Sequence, residues 1–318
     1  MIKALLAASL VLASSTIAAQ DYPSRDIRSI CNFAPGSGAD VIVRFYSERL
    51  AKLSGQPVVV DNKPGANGGI ATGELAKAKP DGYTLMITPA SSTIAAAPYM
   101  FKNLPFDAAK DFAAVTTIAS LSFVILVDAK SPIHDLKGLV AELKKKPNDG
   151  FYGTSNNTGV IAAEIFKAKA GLKTTYVPYK TNVQALTDLL QGQLEFISYD
   201  ATWASGQVKG GKLRAIGATA SRRSVAFPDV PTFAEQGFGD ADVTPWWGVV
   251  VPAGTPRPII DKLAGWINQI TAQEETRTFL SRAAFDPFPG SPEQMSELLK
   301  KDSARWKSYV ELAKIKPL

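Results

Sequence analysis

The chain has 318 residues, 46% of them hydrophobic and 20% charged, proportions of an ordinary globular protein that exclude disordered, collagenous and coiled-coil classes. Lys plus Arg is 35 and Asp plus Glu is 29, for a formal charge of +6; the excess is spread along the chain, with no basic run longer than Lys144-Lys145-Lys146, so nucleic acid is not expected as a partner, while a small anion suits the charge weakly. A single Cys and a single His exclude an intrachain disulfide and all but exclude Cys₂His₂-type zinc or a His-centred triad. At about 150 residues per domain, the length predicts two domains or one large α/β domain.

In chain order, the opening MIKALLAASLVLASSTIAAQ has one early Lys, an apolar run over 4–13 and then small residues. That is the layout of a secretory signal peptide, with cleavage expected near Ala19. The run is shorter than the roughly 20 residues of a spanning helix, and no later stretch is long and apolar enough to span a membrane. An exported protein with one Cys is expected to use Cys31 as a small buried hydrophobe. Strand-like runs follow at 27–33, 57–61, 84–88, 123–128, 151–153, 174–177, 194–198, 212–218 and 247–251. Helical periodicity falls between them at 40–53, 69–79, 136–146, 160–170, 183–191, 257–273 and 292–312. This alternation predicts mostly parallel α/β sheets. An internal echo aligns GGIATGELAKAKP from Gly68 with TGVIAAEIFKAKAG from Thr158; it reads either as two lobes of similar build or as the ordinary recurrence of Ala, Glu and Lys in amphipathic helices.

Three glycine-rich loops stand between a strand and a helix: 33–40 (FAPGSGAD), 62–69 (NKPGANGG) and 153–159 (GTSNNTG). Helix N-termini leave backbone N–H groups unpaired and carry partial positive charge, so such loops suit anions. Asp40 is expected to cap its helix rather than to touch an anion, which it would repel. Each loop taken singly is ordinary turn chemistry; three with polar content make the joint case. The Gly36-Ser37-Gly38 sequence mimics a dinucleotide fingerprint but has Val41 in place of the third glycine, and no Walker loop is present. His134 is expected at the surface, Asp240 and Asp242 lack the rest of a calcium loop, and Trp246-Trp247 reads as core, hinge or ligand wall, with core the default. Tyr179-Lys180-Thr181-Asn182 offers a fourth polar loop, and Asp200 a strand-end contact or turn. No positioned nucleophile and base emerge.

In order, FAPGSGAD, VVVDNKPGANGG, KPDGYTL, LPFDAAKDF, VPYKTNVQALTDLLQGQLEF, KGGKLRAIGATASRR, FPDVPTFAEQGF and WWGVVVPAGTP form a series. On these segments, which run through essentially the whole chain after the leader, the sequence resembles the periplasmic solute-binding receptors of tripartite tricarboxylate transporters, the Bug-type receptors. The resemblance implies an α/β fold similar to class II periplasmic binding proteins, with two α/β lobes and a ligand cleft between them. After a signal peptide at 1–19, lobe one is expected at 20–122 and 243–318 and lobe two at 123–242. It implies no catalysis, no cofactor and no metal. Phe33, Ala34, Gly36, Ser37 and Gly38, with Ala66, Asn67 and Ser91, would hold one carboxylate, often through bridging water. Thr154, Ser155, Asn156, Thr158, Thr181 and Asp200 would face it from the second lobe. Ser37 and Thr181 stand where the family usually has Gly, and Phe33 can line the pocket, which points to a larger or aromatic carboxylate such as a phthalate-type diacid. The implied partners are that ligand and the membrane permease subunits of a tripartite transporter; a periplasmic monomer is expected. The rival readings are an exported enzyme on a similar fold, for which Cys31 is the only thiol, and a scaffold without a small ligand.

Overall fold

The computed structural model describes residues 22–239 and 242–317; the expected signal peptide lies outside them. β1 (Ile27–Cys31) leads through the first glycine loop into α1 (Gly38–Ser54), followed by β2 (Val58–Asn62), a 3₁₀ turn at Ala66–Gly68, α2 (Gly69–Ala76) and β3 (Thr84–Thr88). A π-helical turn Ser91–Ala95 and a single α-turn Ala97–Met100 precede β4 (Phe112–Ser120). Next come β5 (Phe123–Asp128), α3 (Leu136–Leu143), β6 (Phe151–Thr154), α4 (Asn157–Ala170), β7 (Thr175–Pro178), α5 (Asn182–Leu190), β8 (Phe196–Asp200), α6 (Ala201–Lys209) and β9 (Leu213–Ala218). β10 (Trp246–Pro252), α7 (Arg257–Ala272), α8 (Glu274–Arg282), β11 (Asp286–Pro287) and α9 (Pro292–Leu312) complete the chain.

Two compact units result. Within the described residues, the first comprises the chain up to Ile118, with Trp246–Thr276 and Phe288–Ala304; the second comprises Ala119–Pro245, Arg277–Pro287 and the chain from Arg305 onward. The division expected from the sequence gave 20–122 and all of 243–318 to the first lobe, whereas 119–122, 243–245, 277–287 and 305–317 lie with the second unit. The contacts explain why. β11 pairs with Ala119 and Ser120, Val225 donates its N–H to Asp286, Thr202 donates to the Ala283 carbonyl, and Arg305 pairs with Asp242 at 3.0 Å.

Each unit is built on a sheet of the same plan. The first runs β11-β4-β10-β3-β1-β2, and the second β9-β5-β8-β6-β7, the two matching apart from the two-residue β11. In the first, β1 pairs parallel with both β2 and β3, and β10 lies antiparallel on β3. In the second, β6 pairs parallel with β7 and β8, and β5 lies antiparallel on β8. The first strand of each parallel trio is central, the second at the edge, and the third next to the antiparallel strand. This order makes α1 the counterpart of α4, and the loop at 33–37 the counterpart of 155–156. The echo read from the sequence pairs α2 with α4 instead, so it follows helix composition rather than the fold's own repeat.

The central strands are apolar because helices cover both of their faces. Ile30, Leu75, Met86, Ile94, Trp246 and Met295 build the first core, with Trp246 also donating its indole N–H to Asp302. Val124, Leu126, Leu186, Ile197, Tyr199 and Leu213 build the second. Full burial of one such aliphatic side chain contributes roughly 2 kcal/mol. Among the described residues no helix is long and apolar enough to cross a membrane.

Candidate functional site

In an α/β sheet, ligands gather at the carboxyl ends of parallel strands, where strand-to-helix loops present helix N-termini. The residues singled out from the sequence fall at those ends in both units: after β1, β2 and β3 in the first, and after β6, β7 and β8 in the second.

In the first unit, the loop at 33–37 is held by a buried acid. Ser37 is the N-cap of α1, and its hydroxyl accepts from the Asp40 N–H at 3.2 Å. Asp40 is therefore the third helical residue, which corrects the expectation that it caps the helix. Its carboxylate accepts instead from the Gly36 N–H at 2.8 Å, Arg44 Nε at 2.7 Å and Asn62 Nδ2 at 2.7 Å. Burial opposes ionisation, yet the bonds from Arg44, Asn62 and Gly36 hold its pKa down to about 2. Gly36 has φ +78°, a left-handed turn that brings its N–H onto this acid. The N–H groups of Gly38 and Ala39, the first two of the helix, are left without a partner among the described residues. Ala34, Gly36 and Gly38 are exposed, while Phe33 is half-buried and stacked on Trp247 at 5.6 Å and 22°.

The second loop continues this edge. Gly65, Ala66, Asn67 and Gly68 all have positive φ, at 123°, 45°, 51° and 93°. For Ala66 and Asn67 this left-handed conformation costs on the order of 1 kcal/mol each, the kind of strain that concentrates at ligand sites. The N–H groups of Ala66 and Asn67 have no partner among the described residues. Beneath them, the Thr88 hydroxyl lies 3.1 Å from both Asn32 Oδ1 and Thr93 Oγ1, within hydrogen-bonding reach of each. Ser91 opens the π-helical turn and is buried; π turns often mark functional positions. The structure therefore brings Phe33, Ala34, Gly36, Ser37, Gly38, Ala66, Asn67 and Ser91 to one edge of one sheet. It adds Asn32, Thr93 and Arg44, which sequence reasoning missed, and gives Asn62, the first residue of the second loop, a bond to Asp40.

In the second unit, Asn156 caps α4, its Oδ1 accepting from the Gly159 N–H at 2.7 Å. The N–H groups of Asn157 and Thr158 then remain without a partner among the described residues. Ser155 donates to Asn182 Oδ1 at 2.5 Å, joining this loop to the start of α5. Thr181 caps α5 through the Gln184 N–H, and Asp200 caps α6 through the Trp203 N–H at 3.0 Å. Thr154 and Ser198 are fully buried, and neither hydroxyl makes a hydrogen bond of good geometry among the described residues. Burial pushes the Tyr199 phenol pKa up, opposed by the hydroxyls of Ser155 and Thr154 beside it. These are orphaned polar atoms behind the α4 N-terminus, a place where buried water is ordinary.

Other chemistry lies elsewhere. Cys31 is buried, and burial raises its thiol pKa, with the Asp40 carboxylate adding to the effect, the reverse of an activated nucleophile. His134 is exposed. No cluster of three His, Cys, Asp or Glu suited to a metal occurs among the described residues. A cavity of about 500 Å³ lined by Asp128, Lys130, Leu139, Leu189 and Leu194, among others, sits where β5 ends and β8 begins, at the opposite edge of the second sheet from the loops.

Two α/β lobes of this strand order form the fold of the two-lobed periplasmic binding proteins. The solved periplasmic binding protein BugD superposes with a TM-score of 0.70 at 25% identity, over 93% of this chain and 100% of BugD. An R. palustris protein solved with adipate is 29% identical, with a TM-score of 0.74 over 94% of this chain and 100% of its own. MatC from Rhodopseudomonas palustris, with bound malate, is 27% identical, with a TM-score of 0.68 over 91% and 100%. A UPF0065 protein of Bordetella bronchiseptica is 35% identical over 99% of this chain and 94% of its own. The sequence profile of the tripartite tricarboxylate transporter family receptor matches residues 42–315. The chain belongs to that receptor family.

Proposed function

We propose that this protein is an exported periplasmic receptor that binds a small organic carboxylate through the loops at the carboxyl ends of its parallel strands and delivers it to the permease subunits of a tripartite tricarboxylate-type transporter. The observation that carries the reading is the set of unpartnered N–H groups at Gly38, Ala39, Ala66 and Asn67 in one lobe and at Asn157 and Thr158 in the other. These are neutral donors, which receive a carboxylate without burying an unpaired cation when the site is empty. Hydrogen bonds to a charged group contribute about 1.5–3 kcal/mol each. Four to six of them, less ordering costs, reach the roughly −8 kcal/mol of a micromolar ligand. Adipate and malate in the family neighbours support a diacid. The Phe33–Trp247 stack adds an aromatic wall beside the first loop and supports a larger or planar diacid of the phthalate type.

Calorimetry across aliphatic and aromatic mono-, di- and tricarboxylates tests this, with at least one diacid expected to bind at about micromolar Kd or tighter. Gly36→Val, forcing a β-branched residue into a left-handed turn, is expected to weaken that binding at least tenfold. A chain that binds none of the acids overturns the reading.

A further inference from the structure

We infer that Asp40 is the positioning residue of the first carboxylate-binding loop, and that Arg44 is the counter-charge that makes an anion admissible above it. The inference rests on the proposed receptor function and concerns the same site. Asp40 is 1% exposed, and both of its oxygens are in use. One takes the Gly36 N–H and Arg44; the other takes Asn62 Nδ2, which also donates to the Phe33 carbonyl at 2.9 Å. Arg44 in turn donates to Asn62 Oδ1 at 2.8 Å. A single carboxylate thus fixes the loop at Gly36 directly and at Phe33 through Asn62. The same bonds satisfy the Gly36 N–H, so Gly38 and Ala39 are the donors left over.

The electrostatics create a conflict. Asp40 lies in the first turn of α1, where the helix offers positive potential to an anion, and its own negative charge cancels that offer. Arg44, one turn further on, restores neutrality. The first turns of α4 and α5 contain no acidic residue, so these two helix starts need no such device. Arg44 is 50% exposed while Asp40 is 1% exposed, so loss of Arg44 costs stability as well as changing the field at the loop, and recovery of affinity on neutralising Asp40 is what separates the two effects.

Calorimetry with adipate, alongside thermal midpoints, separates positioning from support. Arg44→Gln leaves an uncompensated carboxylate under the loop and is expected to weaken adipate roughly tenfold and to lower the midpoint as well, because the buried Asp40 loses its counter-charge. Asp40→Asn added to Arg44→Gln removes the repulsion and is expected to regain most of that affinity, even where it lowers the midpoint. Asp40→Ala frees the loop and is expected to weaken adipate although the charge is gone. Arg44→Gln binding like wild type, or a double variant weaker than Arg44→Gln, overturns the inference. A wild-type protein that binds no carboxylate of the wider screen overturns the receptor reading itself, and the inference with it.

Discussion

The two lobes meet the same task, presenting free N–H groups at a helix start, with opposite materials. The first lobe uses a buried, ionised Asp40 with Arg44 and Asn62, followed by four consecutive residues of positive φ. At α4 and α5 the second uses neutral caps, Asn156 and Thr181, over a fully buried Thr154 whose hydroxyl lacks a good partner, and keeps its acid, Asp200, for the cap of α6. The first loop is fixed by charge and the second by close packing. Their responses to mutation and to pH should therefore differ.

The largest effect is expected where packing is closest. A Cβ at Gly159 would stand 2.3 Å from Thr154 Oγ1 and 2.6 Å from the Ser198 carbonyl. Backbone cannot yield there, so Gly159→Ala is expected to destabilise the protein by about 3 kcal/mol in urea titration. A loss under about 0.5 kcal/mol would remove the contrast with Gly36 and Gly38, beside which nothing lies within 4 Å.

A smaller effect, and a pH-dependent one, belongs to the first lobe. The folded pKa of Asp40, about 2, lies below the value of about 3.9 of an unfolded Asp. The depressed pKa therefore contributes stability that is present above pH 4 and lost as pH falls from 4 through 2. The contribution is about 2 kcal/mol. The urea stability gap between wild type and Asp40→Asn should narrow over that window, while Asn156→Ala should give a gap that this titration does not alter.

The smallest effects sharpen the picture of the second lobe. Asn156→Ala removes a cap and is expected to cost about 1 kcal/mol. Thr154→Ala, which deletes an unsatisfied buried hydroxyl, is expected to leave thermal stability unchanged or slightly raised. A loss above about 1 kcal/mol would mean that a bound water completes that hydroxyl.

Much of the fold was legible because its signals are local. Val58–Val60, Leu85–Ile87 and Val124–Val127 announce buried strands, and the loops after β1, β2 and β6 follow from glycine and polar residues next to them. β4 escaped because Ala113, Ala114, Thr116 and Thr117 interrupt its apolar pattern, and α6 because Gly206 and Trp203 blur a short helix. Family resemblance, more than periodicity, pointed to the candidate residues of the second lobe. The Asp40–Asn62–Phe33 network was illegible for a physical reason: its partners are 22 and 29 residues apart, and only the pairing of β1 with β2 brings them together. The assignment of 277–287 and 305–317 to the second unit has the same origin, since pairs such as Thr202 with Ala283 join distant parts of the chain.

The open space beside Gly38 has an evolutionary corollary. This glycine has an ordinary helical start rather than a left-handed one, and an added side chain would meet no neighbour. Substitution there leaves the foundations intact while altering what can rest on the first loop. On the receptor reading proposed above, lineages can therefore retailor the acid they collect at one exposed position, without re-engineering the charged anchor beneath it.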